Sequence, residues 1–128
     1  MRTKKQRLKD KADKLFSELI RRKYSDWKDE ATCYTCGKIA PWKELQCGHF
    51  ISRSSTKLRF DERNARCQCV GCNVFKSGNY IEYTTRMIDE KGKAFVEKLK
   101  REGKEECRLG EKDLEDICKK LQSKINKL

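Results

Sequence analysis

Hydrophobic positions near the two ends of the chain recur with the period of a helix. The first stripe has spacings of three and four residues, and it consists of Leu8, Ala12, Leu15, Phe16, Leu19 and Ile20. A second stripe, starting near Lys112, consists of Leu114, Ile117, Cys118, Leu121, Ile125 and Leu128. Both patterns predict amphipathic α-helices. We expect the last helix to pack either on its own domain or against a second copy of the chain.

Between these stripes, residues 31–79 lose the helical period. Residues 43–51 and the Leu58–Phe60 segment predict two short extended segments. A helix is expected from about Asn73, interrupted near Gly78 and continued over residues 80–88. A short helix with Ala94, Phe95 and Leu99 follows and ends at Gly103. The sequence therefore predicts an α+β fold.

The composition indicates a single domain with a thin hydrophobic core. Of 128 residues, 41% are charged and 36% hydrophobic, and the formal net charge is +12. No run approaches the ~18 apolar residues of a membrane span, and the basic N-terminus lacks the apolar segment of a secretory signal. We therefore expect a cytosolic protein without membrane contact. The positive charge, concentrated as 10 basic against 3 acidic side chains in residues 1–25, favours nucleic acid as the partner.

Four of the eight cysteines have the spacing of a metal site. Cys33 and Cys36 form one CxxC pair, and Cys69 and Cys72 form another after 32 intervening residues. Two such turns supply the four thiolates of a structural Zn²⁺ site, whereas redox or unliganded pairs are the alternative. Cys67 could compete with Cys69, but the CxxC spacing favours Cys69. The other cysteines have no partner at ligand spacing and are Cys47, Cys67, Cys107 and Cys118.

The single histidine, His49, lies between the two cysteine pairs. Asn64 follows it in the chain, and Asn73 comes directly after the last cysteine of the CxxC pair. This order is similar to the HNH, or ββα-metal, nucleases. In such a site a neutral imidazole takes a proton from water, while a divalent cation stabilises charge on the phosphate.

Several short elements also resemble the NinG/Rap family of lambdoid phage recombination proteins. They are Gly48-His49-Phe50, the stretch from Leu58 to Asn64, Gln68-Cys69-Val70-Gly71-Cys72-Asn73 and Lys76-Ser77-Gly78-Asn79. The Cys-x-x-Cys-Asn ending is also similar to the phage resolvase endonuclease VII. The resemblance covers roughly residues 31–90. It implies a metal-dependent endonuclease that acts on branched DNA, such as Holliday junctions and D-loops, in the cytoplasm of the bacterial host.

Carried over by position, the resemblance makes His49 the general base, Asn64 an orienting residue and Asn73 a ligand of catalytic Mg²⁺ or Mn²⁺. It implies phosphate contacts by Arg53, Arg59, Arg63, Arg66 and Lys76. Together with the two terminal stripes, it predicts three parts of one compact domain: a basic N-terminal helix over 1–30, a zinc-bound HNH-like core over 31–90 and C-terminal helices over 91–128.

The sequence departs from the HNH pattern at one position. The residue before the base is usually an Asp or His ligand, but here it is Gly48. Asp61 or Glu62 could supply the missing carboxylate, or His49 could itself bind the metal. The alternative function is a non-catalytic, zinc-containing accessory protein that binds junctions. A third is a protein-interaction adaptor that uses the last helix. Because symmetric junctions are cut by two active sites, the resemblance and the last stripe together predict a homodimer, with host or phage recombination proteins as further partners.

Overall fold

The computed structural model describes residues 1–128 as an α+β fold, which confirms the predicted class. Its elements are α1 (Lys4–Lys23), β1 (Glu30–Thr32), β2 (Ile39–Pro41), β3 (Gln46–His49), β4 (Ala65–Gln68), α2 (Tyr80–Lys91), α3 (Lys93–Glu102) and α4 (Glu111–Asn126). Single 3-10 turns lie at Trp42–Glu44 and Glu62–Asn64, and a π-helical turn lies at Gly71–Phe75. None of the helices combines the length and the apolar character needed to cross a membrane.

The first and last helices pack against each other. Helix α1 begins at Thr3, whose hydroxyl accepts from the backbone of Gln6 in a capping box. Its buried residues are Ala12, Phe16, Leu19 and Ile20, and those of α4 are Leu114, Cys118, Leu121 and Ile125. The two predicted stripes are therefore confirmed as helices. Because α4 buries its stripe within the chain, that stripe gives no support to the predicted homodimer.

Two separate antiparallel hairpins carry the cysteines and the histidine. Strands β1 and β2 pair around the first CxxC turn, a hairpin that the sequence did not predict. Strands β3 and β4 pair with Gln46 opposite Gln68 and His49 opposite Ala65. The predicted extended segment Leu58–Phe60 is wrong, because these residues lie in turns. Leu58, the apolar residue that suggested a strand, packs instead in a buried cluster with residues of α2 and α3.

The second hairpin leads directly into helical structure, as predicted. The π-helical turn ends near Gly78, which has φ +90°, and Asn79, which has φ +50°. Left-handed residues stop a helix, so α2 starts afresh at Tyr80. The hydroxyl of Tyr83 donates to the carbonyl of Gly48 at 2.7 Å. This bond attaches α2 to the back of strand β3.

The hydrophobic core is divided among three small clusters. One surrounds the cysteines, one lies between α1 and α4, and one joins the loop after β3 to α2 and α3. Each contains only six or seven buried residues. The cluster at the cysteines is the poorest in large side chains, and it is where a metal ion would add most to stability.

Candidate functional site: a cleft beside a four-cysteine cluster

The four cysteines of the two CxxC pairs meet at one point. Cys33 and Cys36 lie on the turn of the first hairpin, and Cys69 and Cys72 lie at the start of the π-helical turn. Their Sγ atoms are all within 4.8 Å of one another, and those of Cys36 and Cys69 are 3.7 Å apart. Tetrahedral Zn²⁺ with Zn–S bonds of about 2.3 Å separates its sulfurs by about 3.8 Å. The cluster therefore has the dimensions of a structural zinc site.

Polar groups around the cluster suit thiolates rather than thiols. The backbone N–H of Cys72 donates to Cys69 Sγ at 3.4 Å, and Asn79 Nδ2 donates to Cys72 Sγ at 3.7 Å. Burial raises the pKa of Cys33, but hydrogen bonds from the Cys69 backbone and from Thr35 lower it to about 6. Cys67 lies outside the cluster, with its Sγ 3.7 Å from the carbonyl oxygen of Ile20.

A cleft of about 930 Å³ opens beside this cluster and contains two of the predicted site residues, His49 and Asn73. Helix α1, strand β3, the loop after β3 and the beginning of α2 all contribute to its walls. Further lining residues include Asp13, Arg21, Gln46, Arg53, Ser77 and Tyr80. The hairpin and the following helical turn therefore bring His49 and Asn73 to one surface.

The imidazole of His49 is held on two sides. Its Nε2 lies 2.9 Å from the carbonyl oxygen of Arg59, and its ring lies 5.5 Å from that of Phe16 on α1. A carbonyl only accepts, so Nε2 carries the proton and Nδ1 is the acceptor of the neutral ring. Burial lowers the pKa of His49 below 6.5, and the charges of Arg53 and Arg59 lower it further, against the opposing effects of the Arg59 carbonyl and Asp13. The imidazole is consequently neutral at pH 7.

Asn64 is fully buried and fastens the long loop between β3 and β4. Its Oδ1 accepts from the N–H of Ile51 at 2.8 Å, and its Nδ2 donates to the carbonyl of Ile51 at 2.9 Å. A longer bond of 3.4 Å joins Nδ2 to the carbonyl of Leu58. Asn64 thereby closes the loop that carries the carbonyl partner of His49.

Asn73 lies on the π-helical turn and lines the cleft. Its Nδ2 donates to Gln46 Oε1 at 2.8 Å, which fixes the amide and leaves Oδ1 without a hydrogen-bond partner in the chain. An amide oxygen held in this way is a suitable ligand for a hard divalent cation.

The two carboxylates suggested by the sequence lie elsewhere. Asp61 caps a 3-10 turn and pairs with Arg63, and Glu62 forms ion pairs with Lys23 and Lys124. Both line a second cavity of about 530 Å³ beside α4, and neither lines the cleft of His49. The structure therefore does not bring them together with Asn73.

The carboxylate that does line the cleft is Asp13, which the sequence analysis missed. Asp13 follows Ala12 on a helix that carries no recognisable motif, so no spacing connected it with His49. Its position at the border of the apolar stripe was the only available signal. Its two oxygens accept from Arg59 Nε at 2.9 Å and from Arg59 Nη2 at 2.6 Å.

The predicted phosphate contacts divide into two groups. Arg53 and Lys76 are exposed, and Arg53 lines the cleft, where its Nη1 lies 3.7 Å from Asp13 Oδ2. The other three form shorter ion pairs within the chain: Arg59 with Asp13, Arg63 with Asp61 and Glu102, and Arg66 with Glu90. Arg66 has a side chain only 3% exposed, so its prediction as a DNA contact is wrong. Its guanidinium is buried between the rings of Tyr24 and Tyr34.

Gly48 has a packing reason to lack a side chain. A Cβ at this position would lie 2.0 Å from Oε1 and 2.7 Å from Cγ of Gln68. Gln68 is fully buried, and its Nε2 donates to the Thr35 hydroxyl at 3.1 Å and to the Gly78 carbonyl at 2.8 Å. The side chain of Gln68 thus fills the volume that an Asp or His ligand at position 48 would need.

Comparison with known proteins gives one consistent result. A family model described as bacteriophage lambda NinG protein matches residues 1–128. The protein ninG of Salmonella phage P22 is 34% identical over 99 residues, covering 70% of this chain and 47% of that protein. The protein ninG of Escherichia phage 933W is 35% identical over 105 residues, covering 75% and 47%. That of Escherichia phage lambda is 37% identical over 70 residues, covering 52% and 33%. The chain thus spans about half the length of the first two relatives, and no solved structure matches it.

Proposed function

The chain belongs to the NinG family, and from that premise we propose that it is a metal-dependent endonuclease of branched recombination DNA. One observation carries the proposal: His49, whose Nε2 is held by a carbonyl, and Asn73, whose amide is fixed by Gln46, line the same cleft. The order of hairpin and helix that holds them is the one expected of an HNH-like core. Structural Zn²⁺ bound by the four clustered cysteines would hold the two hairpins together.

In this proposal, His49 is the general base. Its Nδ1 takes a proton from a water molecule, whose oxygen forms the new bond to phosphorus while the bond to the leaving sugar oxygen breaks. The Arg59 carbonyl stabilises the imidazolium that results, because it accepts from Nε2–H in both protonation states. Asn64 fixes the loop that supplies this carbonyl.

Asn73 would hold the catalytic Mg²⁺ or Mn²⁺ through Oδ1. Such an ion supplies stabilisation of the charge that develops on the phosphate and on the leaving oxygen. Such an ion would keep several of its own waters and bind the substrate phosphate, as Mg²⁺ does at sites with few protein ligands. Zn²⁺ at the cysteines is a separate, structural ion in this scheme.

The protein surface supports DNA as the substrate. The net charge is +12, and Arg53 and Lys76 are exposed near the cleft. Exposed cations of this kind provide phosphate affinity without sequence preference, and this affinity falls steeply with salt. The substrate we propose is a four-way junction or a D-loop, and the protein would act in the cytoplasm of the bacterial host.

The second candidate function is a non-catalytic, zinc-containing protein that binds junctions. Two observations favour it: Gln68 blocks position 48, and the single carboxylate of the cleft, Asp13, is already paired with Arg59. A bound Mg²⁺ would then have only Asn73 as a direct protein ligand.

Cleavage of a labelled four-way junction distinguishes these functions. Wild type and His49→Ala are compared with Mg²⁺, with Mn²⁺ and without added divalent ion, on the junction and on a linear duplex. Zinc content and junction affinity serve as controls, since His49 is not a member of the cysteine cluster and its hydrogen bond is to a backbone carbonyl. We expect metal-dependent nicking by wild type and its loss in the variant. Junction binding without any cleavage would establish the accessory function instead.

A further inference from the structure

Residue Arg59 is attached at both of its ends to parts of the candidate site. Its side chain makes two parallel bonds to the carboxylate of Asp13 on α1, at 2.9 and 2.6 Å. Its own carbonyl accepts from His49 Nε2 at 2.9 Å. The side chains of Arg59 and Asp13 are only 16% and 19% exposed, so solvent and salt screen this pair weakly. The N-terminal helix is thus connected to the imidazole through a single residue.

The segment that carries Arg59 has little regular structure to hold it. Between Phe50 and Asp61 the chain forms only bends and turns. Asn64 fixes it at Ile51 and at Leu58, whereas the two-pronged ion pair with Asp13 attaches Arg59 to α1. A further bond, from Arg59 Nη1 to the Arg53 carbonyl at 3.1 Å, folds the loop onto itself.

We propose that Asp13 and Arg59 are positioning residues that keep the Arg59 carbonyl on Nε2 of His49 and so hold the imidazole in its Nε2–H form. Nδ1 is then the ring atom that accepts a proton. This inference rests on the proposed role of His49 as general base, and it assigns a function to α1 for which the sequence offered no motif. Phe16, one turn further along α1, packs on the same ring. Helix α1 therefore limits both the tilt of the imidazole and its hydrogen bonding.

The test uses the fact that His49 is the only histidine in the chain. A long-range ¹H–¹⁵N NMR spectrum of the zinc-loaded protein reports this imidazole alone, and its two nitrogen shifts give the tautomer ratio. Asp13→Asn keeps the shape of the side chain and removes the charge that binds Arg59 and, at the longer distance of 3.7 Å, Arg53. We expect the Nε2–H form to predominate in wild type, the two shifts to move toward each other in Asp13→Asn, and Asp13→Glu to restore most of the wild-type spectrum.

A matched control breaks another bidentate pair away from His49. Glu102→Gln removes the carboxylate that binds Arg63, and its side chain is also 19% exposed. We expect wild-type imidazole shifts in this variant. Arg59→Lys is a second perturbation of the proposed pair, since it retains the cation but loses the two-pronged geometry, and it should shift the imidazole signals in the same direction as Asp13→Asn.

Cleavage kinetics give an independent readout. We expect Asp13→Asn to lower the single-turnover rate roughly tenfold, as misplacement of a catalytic group does, with junction affinity changed less than twofold. Unchanged tautomer ratios in both Asp13→Asn and Arg59→Lys would overturn the inference. So would loss of Mn²⁺ binding in Asp13→Asn, because Asp13 would then be a metal ligand. If wild type does not cleave, the proposed function fails while the NMR comparison still decides the role of the pair.

Discussion

Replacing Gly48 by alanine tests whether the side chain of Gln68 fills the space beside position 48. The new Cβ would meet Gln68 Oε1 at 2.0 Å, Cδ at 2.6 Å and Cγ at 2.7 Å. Three atoms of one side chain are involved, so a rotation of the terminal amide alone does not relieve the contact. Gln68 must move, and its bonds to Thr35 and Gly78 break with that movement.

The expected cost follows from these contacts. Two buried hydrogen bonds contribute about 1 kcal/mol each, and forcing a methyl group into a packed interior costs about 1–3 kcal/mol. The sum is about 3–5 kcal/mol, a large part of the roughly 5–15 kcal/mol available to a small domain. Gly48→Asp should cost at least as much, so it should destabilise the protein instead of restoring an HNH ligand.

The assay is urea unfolding at a fixed excess of Zn²⁺, followed by circular dichroism. Gly71→Ala is the control, since a Cβ there meets nothing nearer than Cys69 Sγ at 3.7 Å, and we expect it to change stability by less than about 1 kcal/mol. In the double variant Gly48→Ala/Gln68→Ala the clash disappears and the two bonds are lost only once, so its cost should fall short of the sum of the single costs by most of the about 3–5 kcal/mol expected for Gly48→Ala. Additive costs would show that the side chain of Gln68 does not oppose a Cβ at position 48.

Three other properties can be predicted from the site. The pKa of His49 is lowered in the folded protein, so the unfolded chain binds a proton first as the pH falls through 6.5, and the free energy of unfolding should decline below that pH. Measuring this free energy against pH in wild type and in His49→Gln checks the prediction. An equal decline in both would contradict it. Arg53→Ala should reduce the slope of log affinity against log salt for a junction by about one, as filter binding would show. Arg66→Ala should leave this slope unchanged but cost about 2 kcal/mol of stability, which thermal melting would measure. Cys36→Ser should bind Zn²⁺ far more weakly and lose its hairpin structure, because structural zinc contributes about 10–16 kcal/mol; zinc release and far-UV circular dichroism measure both, and a folded, zinc-free variant would disprove it.

The helices and the cysteine cluster could be predicted because their signals are local. The stripes of α1 and α4 repeat with the helical period, and the CxxC spacing determines which four sulfurs meet. The sequence did not predict which segment pairs with β3. Ala65–Gln68 is buried on both faces and shows no alternation, whereas the apolar Leu58 suggested a strand in what is a loop.

Only part of the candidate site could be predicted from the sequence, because the rest depends on contacts between residues that are far apart in the chain. His49 and Asn73 could be recognised from motifs, but the pairing of Asp13 with Arg59 spans 46 residues of sequence. The charged residues show the same limit. Arg53 and Arg66 are equivalent in sequence, and only the structure shows that the first is exposed while the second is buried and paired with Glu90.

The packing of α1 on α4 also has a consequence for the order in which the protein folds. A bond from Cys118 Sγ to the Leu8 carbonyl joins residues 110 positions apart, and contacts of such long range form slowly. During synthesis, the last cysteine of the cluster, Cys72, emerges well before α4, so the hairpins that carry the cysteines can form first. The apolar face of α1 is covered only after α4 has been synthesised and packs on it. The contacts through which α1 supports His49 are therefore expected to form late. In pulse-labelled hydrogen exchange we therefore expect protection at β4 before protection at α1, and the reverse order would contradict this sequence of events.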